Sequence, residues 1–164
     1  AVIRVGAASE TELKSQKDAF DDAINATKAA IAEGIVPGAG LPFLRACAAL
    51  VEEEAKTDGD ERTGLRVLRH ALEVPTRQIG ENSGYDGGVV ADRMRSSSTG
   101  AIGFDASRGV YVDLYEAGII DATKVLRVGL ENAVSTASVL LLTEATLTEV
   151  PEPKNKRGPA PMEQ

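Results

Sequence analysis

The sequence has no Trp, 1 Cys, 1 His, 3 Phe and 3 Tyr among its 164 residues. A single cysteine, Cys47, excludes an intrachain disulfide and with it the disulfide-stapled secreted scaffold, so a reducing compartment is the simplest reading. Cys47 falls on an apolar stripe with no cationic cluster beside it, which predicts a core thiol rather than a reactive one. His70 has no second His or Cys at ligand spacing, so no metal site is expected from this segment. Ser96, Ser97 and Ser98 have no evident His to activate them and read as loop. Basic residues are also in short supply: 18 Lys and Arg against 25 Asp and Glu give a formal charge of −7 and a pI near 4.8. A chain that wraps a phosphate backbone needs a Lys/Arg-rich face, so nucleic acid is not an expected partner. No basic n-region opens the chain, and no run of roughly 18 uncharged apolar residues occurs, so neither a signal peptide nor a membrane-spanning helix is expected. The first residue is Ala1 rather than Met, which fits either ordinary Met removal or an upstream segment that has been cut away.

What is present is aliphatic. Hydrophobic residues make up 43% of the chain, and with few aromatics the core must be built from Ala, Val, Leu and Ile, a composition suited to close-packed helices. AVIRVG at the start reads as a short strand, and Ser9 with Glu12 then gives the S-x-x-E spacing of a capping box. Leu13, Phe20, Ile24, Thr27 and Ile31 mark one face of a helix running to about Glu33, with Gly34 as its stop. IVPGAG breaks the pattern, and Pro42 suits the first turn of a second helix whose stripe is Leu44, Cys47, Ala48 and Val51. TDGDER reads as a loop, Leu65, Leu68, Ala71 and Leu72 as a third helix ending before Pro75, and Pro75 as the start of a short fourth. A further short helix is predicted over 88–95 and a loop at SSSTG. A hairpin follows, with Ile102 and Phe104 facing Val110 and Tyr111 across DASRG, and a brief helical turn at Leu114 and Tyr115. Asp121 is the predicted N-cap of a long last helix that is apolar nearly all round from Val125 to Leu142, which predicts burial on most sides. ATLTEV alternates as a strand, and PEPKNKRGPAPMEQ is a polar, Pro-rich tail expected to be mobile. The fold class is therefore mainly α. Two terminal strands without local partners point to partners on another chain or a missing segment.

Four ordered blocks carry a resemblance: AVIRVGAASETELK, FDDAINATKAAIAEGIVPGAG, GFDAS and GIIDATKVLRVGLENAVSTASVLLLTEA. Over residues 1 to about 150 the sequence resembles the C-terminal third of a GroEL-type group I chaperonin subunit. The resemblance implies that residues 1–34 are the C-terminal part of an intermediate domain, a strand and a long helix. It makes 35–150 the C-terminal part of an equatorial nucleotide-binding domain, a helical bundle with a small hairpin, and 151–164 a flexible tail. The family's DGTTT phosphate-binding stretch and its client-binding apical domain are not in this sequence. The implied function is a share of an ATP-dependent protein-folding machine, with ATP, Mg2+ and K+ as cofactors whose ligands lie mostly in the absent part. The implied partners are other subunits in two seven-membered rings, a co-chaperonin and unfolded clients, in a bacterial cytoplasm or an organelle stroma or matrix. The alternative is a non-catalytic fragment or assembly module with an incomplete ATP site.

The resemblance also assigns residues. Asp22 matches the aspartate that orients water against the γ-phosphate, although Asp18, Asp21 and Asp22 alone read as a solvated acidic face. Gly38, Ala39 and Gly40 match a loop of three glycines at the nucleotide; by themselves they read as a turn, and Ala39 departs from the middle glycine. Asp105 and Ala106 stand where the family reads Asn-Ala at the adenine; Asp105 only accepts hydrogen bonds when ionised, and it equally fits a hairpin turn. Ile119 belongs to the same nucleotide set, and Asp121 matches a ribose-binding aspartate while also fitting a helix cap; it precedes Ala122 where the family commonly has Pro. Gly34 is the implied inter-domain hinge or, more simply, a helix stop. Arg77, Asp86 and Val89 match inter-ring contacts, and Ala145, Thr146, Leu147 and Thr148 match a strand that pairs with a neighbouring subunit. The ending PAPMEQ departs from the Gly-Met repeats of many bacterial members.

Overall fold

The computed structural model describes residues 2–97 and 100–148, and its internal contacts divide the chain into two units, 1–129 and 130–164. In the first unit, helix α1 (Glu10–Glu33) starts as its capping residues dictate: Ser9 Oγ accepts from the Glu12 N–H at 3.2 Å, and Glu12 Oε2 accepts from the Ala8 N–H at 3.3 Å. Gly34 ends it at φ 81°, its N–H donating to the Ala30 carbonyl at 2.8 Å. The predicted apolar face is largely uncovered: no residue of α1 is buried, and Ile31 is 81% exposed. The expected strand at the start of the chain does not form, since residues 2–7 carry no regular structure. A strand needs a neighbour for its N–H and C=O groups, and none lies beside it among the described residues.

Past Gly34 the chain makes β1 (Ile35–Pro37), where the sequence suggested only punctuation. It pairs antiparallel with β4 (Ile120–Ala122), a partner 85 residues away in register Ile35↔Ala122, Val36↔Asp121 and Pro37↔Ile120. Helix α2 (Leu41–Glu54) begins with Pro42 in its first turn, as expected. Helix α3 (Gly59–Asn82) corrects two expectations. The TDGDER loop shrinks to a short connection because the helix already begins at Gly59, with Asp58 at the N-cap position but making no side-chain cap bond, and the helix runs unbroken through Pro75 instead of ending there. An interior proline removes one helical hydrogen bond, but α3 packs on α2 before it and on α4 around it, and that packing holds the helix through the defect. Helix α4 (Gly87–Ser96) follows, capped by Asp86 Oδ1 accepting from the Val89 N–H at 2.9 Å. The predicted hairpin is β2 (Ile102–Asp105) with β3 (Val110–Asp113), Phe104 facing Tyr111.

The core lies where α2, α4 and the hairpin meet. Leu41, Leu44, Val90, Ala91, Met94, Phe104 and Leu114 are buried together, with Ala39, Ala106, Tyr111, Val112 and Ile119 packed against them. Leu72 and Cys47 are buried as the stripes of α3 and α2 predict. The α3–α4 contact is backbone-close: a Cβ at Gly87 would stand 2.4 Å from the Arg77 carbonyl oxygen.

Helix α5 (Thr123–Leu142) starts one residue after β4, so Asp121 is a strand residue and not the predicted N-cap. The expected burial of α5 is also not met, because none of its residues is buried. Leu141 and Leu142 are each 85% exposed. By length and composition alone α5 could cross a membrane, although Lys124, Arg127 and Glu131 fall within it. In the second unit, residues 145–148 carry no regular structure, so the expected strand is not formed there either. Its last residues, the tail over 151–164 and part of the SSSTG loop lie outside the described residues.

Candidate functional site

Pairing of β1 with β4 brings the Gly38–Gly40 loop beside Ile119 and Asp121, whereas Asp105 and Ala106 lie on the hairpin. The chain leaves β1 at Pro37, and the Gly38 N–H donates to the Ile119 carbonyl at 2.9 Å, so the Gly38–Ala39–Gly40 loop is fastened to the residue that leads into β4. A Cβ on Gly38 would come 3.1 Å from Ile119 Cγ2, which fits a glycine there. Ala39 takes φ 56° and Gly40 φ 74°, two successive left-handed residues just before α2. Ala39 is the one described non-glycine residue with positive φ. Among the described residues the Ala39 and Gly40 N–H groups have no acceptor, whereas the Gly38 and Leu41 N–H groups do. Unpaired donors at the head of a 14-residue helix form a place where an anion is favoured.

Asp121 sits opposite Val36, half-buried, and its burial raises its pKa above the ordinary carboxylate value. Asp105 is 5% exposed, and its carboxylate is occupied by the hairpin turn. Oδ1 accepts from the Ser107 N–H at 2.9 Å, the Ser107 hydroxyl at 2.7 Å and the Arg108 N–H at 3.3 Å. The Ser107 hydroxyl bond, helped by these backbone donors and by Arg108, outweighs burial and lowers the Asp105 pKa. Ala106 packs on the same core cluster as Ala39 and Ile119.

Asp22 is not gathered into this group. It is exposed on α1, 12 residues before Gly34, which at about 1.5 Å per residue is about 18 Å along the helix. Between them lies Gly34, whose φ of 81° demands glycine although a Cβ there would meet nothing within 4 Å. The Gly34 carbonyl accepts from the Thr123 N–H at 3.1 Å, and Glu33 is held by Arg127 through two hydrogen bonds of 3.0 and 2.6 Å. The Arg127 guanidinium lowers the Glu33 pKa.

Arg77, Asp86 and Val89 come together where α3 meets α4. A Cβ on Gly88 would lie 3.1 Å from Asp86 Oδ1 and 3.3 Å from Arg77 Nη1, and Val89 is 63% exposed. Ala145, Thr146, Leu147 and Thr148 are exposed in the second unit. Cys47 is buried, with its thiol pKa pushed up by desolvation, and His70 is exposed on α3. Among the described residues no three His, Cys, Asp or Glu side chains gather within reach of one ion.

Two features were not anticipated. Thr76, 1% exposed on α3, donates its hydroxyl to the Ala39 carbonyl at 3.1 Å, a contact 37 residues apart that no local pattern signals. Phe104 meets Tyr85 edge to face at 5.1 Å and Tyr111 at a tilt at 5.3 Å, with Arg93 4.1 Å over Tyr111, around a cavity of about 440 Å³. None of the Gly38–Gly40 residues lines that cavity.

Residues 1–151 match the model of the TCP-1/cpn60 chaperonin family. The chain is similar to chaperonin GroEL 5 of Bradyrhizobium diazoefficiens, at 66% identity over 98% of this chain and 30% of that protein. Its fold is similar to the crystal structure of a group III chaperonin in the open state, with a TM-score of 0.79 and 26% identity, covering 87% of this chain and 30% of that one. The chain thus spans under a third of the length of these relatives. It belongs to the TCP-1/cpn60 chaperonin family, in its GroEL-type, group I branch.

Proposed function

We propose that this chain supplies the nucleoside-facing and water-orienting side of the ATP site in a protein-folding chaperonin subunit, together with ring-assembly surfaces. The observation that carries the reading is the joining of Gly38–Ala39–Gly40 to Ile119 and Asp121 through the β1–β4 pair. Two unpaired N–H groups beside a half-buried carboxylate suit a ligand with phosphate at one end and hydroxyls at the other. Asp121 would accept from ribose hydroxyls, with Asp105 and Ala106 flanking the base and Gly38, Ala39 and Gly40 lying along the phosphates. Bound ATP supplies the phosphoryl group, and the Mg2+ and K+ that screen its charge would take their ligands from the rest of the subunit.

Asp22 is the residue for orienting the attacking water and drawing off its proton. From its present place on α1 it must move toward the loop, and Gly34 is the point where the backbone can turn as residues 1–34 swing against 35–150. Arg77, Asp86 and Val89 form the contact toward a second seven-membered ring, and Ala145–Thr148 becomes a strand only beside a neighbouring subunit. Co-chaperonin and clients engage the absent apical part, in the cytoplasm or an organelle interior. The apolar α5, uncovered in this chain, is a surface for protein packing in the whole subunit.

The test is ATP turnover by the full-length subunit. Asp22→Ala is expected to stop hydrolysis while nucleotide binding persists, and equal turnover by wild type and variant removes Asp22 from the mechanism. A second reading, a non-catalytic assembly module, draws on the separation of Asp22 from the loop. It predicts that this chain mixed with the remaining segment assembles without turnover.

A further inference from the structure

Thr76 stands out among the helical threonines. Thr27, Thr63 and Thr136 each donate to the carbonyl four residues back in their own helix. Thr76 instead donates to the Ala39 carbonyl, across to the loop. It does so at a point where α3 and the loop nearly touch: a Cβ on Gly40 would lie 2.4 Å from Thr76 Oγ1 and 3.1 Å from its backbone nitrogen. A hydroxyl buried this deeply needs a partner, and the Ala39 carbonyl provides it.

The consequence follows from peptide planarity. In a trans peptide the C=O and the following N–H point in opposite directions. A carbonyl of Ala39 drawn toward α3 therefore turns the Gly40 N–H away from α3, and that N–H has no acceptor among the described residues. We infer that Thr76 is a positioning residue for the nucleotide loop, fixing the Ala39–Gly40 peptide so that the Gly40 N–H faces the phosphates. This rests on the reading of Gly38–Ala39–Gly40 as a nucleotide loop. It also accounts for a non-glycine residue being held in the left-handed region, since the hydroxyl bond opposes a flip of that peptide.

The test uses the full-length subunit with Thr76→Val, which keeps shape and removes the hydroxyl, and Thr76→Ser, which keeps the hydroxyl. Calorimetric titration with ATP and with adenosine separates phosphate contacts from nucleoside contacts. For Thr76→Val we expect ATP affinity to fall roughly three- to tenfold, the loss of one hydrogen bond's worth of order, with adenosine affinity unchanged. KM for ATP should rise more than kcat falls, and Thr76→Ser should return ATP affinity to within about twofold of wild type. If Thr76→Val does not fold, the comparison of Thr76→Ala with Thr76→Ser reads the same hydroxyl. Equal ATP affinity in variants with and without the hydroxyl overturns the inference, as does an equal loss for ATP and adenosine, which marks general loosening. A wild-type subunit that binds no ATP instead sinks the nucleotide reading itself, and the role assigned to Thr76 with it.

Discussion

At the scale of single residues, the site rests on backbone conformations that the side chains only partly favour. Ala39 holds φ 56°, a region where a Cβ is crowded. Replacing it with glycine removes that crowding at some cost in unfolded-chain entropy, so Ala39→Gly is expected to raise stability by roughly 0.5–1 kcal/mol in a urea unfolding curve. Charges act at the same scale. Hydrogen bonds from Arg127, Arg66 and the Ser107 hydroxyl hold Glu33, Glu54 and Asp105 below their ordinary pKa values. Each therefore adds stability that is present above its unfolded pKa, about 4, and lost as pH falls through the lower folded value. Asp121 runs the other way: its raised pKa makes its burial a cost at neutral pH that is relieved as pH falls through the folded value. The contribution of the three lowered carboxylates is thus lost below about pH 4, and Glu54→Gln should flatten the fall in urea midpoint measured between neutral and acid pH.

These residue-scale features were unevenly legible. The capping pair Ser9 and Glu12 and the helix stop at Gly34 follow from chemistry within four residues, and both are found as the sequence suggests. Asp105 was open between a base contact and a turn, and its carboxylate is engaged in the turn. The bond from Thr76 to Ala39 joins elements 37 residues apart and leaves no periodic trace.

At the scale of elements, α3 is the organising piece. It packs on α2 and α4, presents Thr76 to the loop, and takes the start of α4 against its backbone. Gly87→Ala forces a Cβ to 2.4 Å from the Arg77 carbonyl oxygen, which fixed backbone cannot easily yield. We expect a loss of about 2–3 kcal/mol, read by thermal or urea unfolding. Helix identity was mostly readable, because amphipathic periodicity needs only the residues of the helix itself. Its failures were those where outside contacts decide: α3 continues through Pro75, and IVP becomes a strand because IDA lies beside it.

At the scale of the whole molecule, the chain exposes what a self-sufficient domain hides. Val139, Leu140, Leu141 and Leu142 on α5 are 60, 59, 85 and 85% exposed, and the face of α1 is open. A patch of that kind favours association. The isolated chain is expected to self-associate in sedimentation velocity, with Leu141→Glu reducing it. The same substitution in the full-length subunit should impair ring assembly seen by native mass spectrometry. Unchanged association in the first case would show that α5 is not the sticky surface.

By itself, the sequence determined the helical class, the Ser9 cap and Gly34 stop of α1, the hairpin and the chaperonin family, because each depends on local chemistry or on ordered blocks of residues. Only the tertiary structure decided that Gly38–Gly40, Ile119 and Asp121 share one place, that Asp105 closes a turn, and that Thr76 holds the loop. It also decided which apolar faces are covered within this chain. The physical reason is one of range: hydrogen bonds between distant strands and helices depend on where the chain returns in space, and residue spacing carries no record of that return.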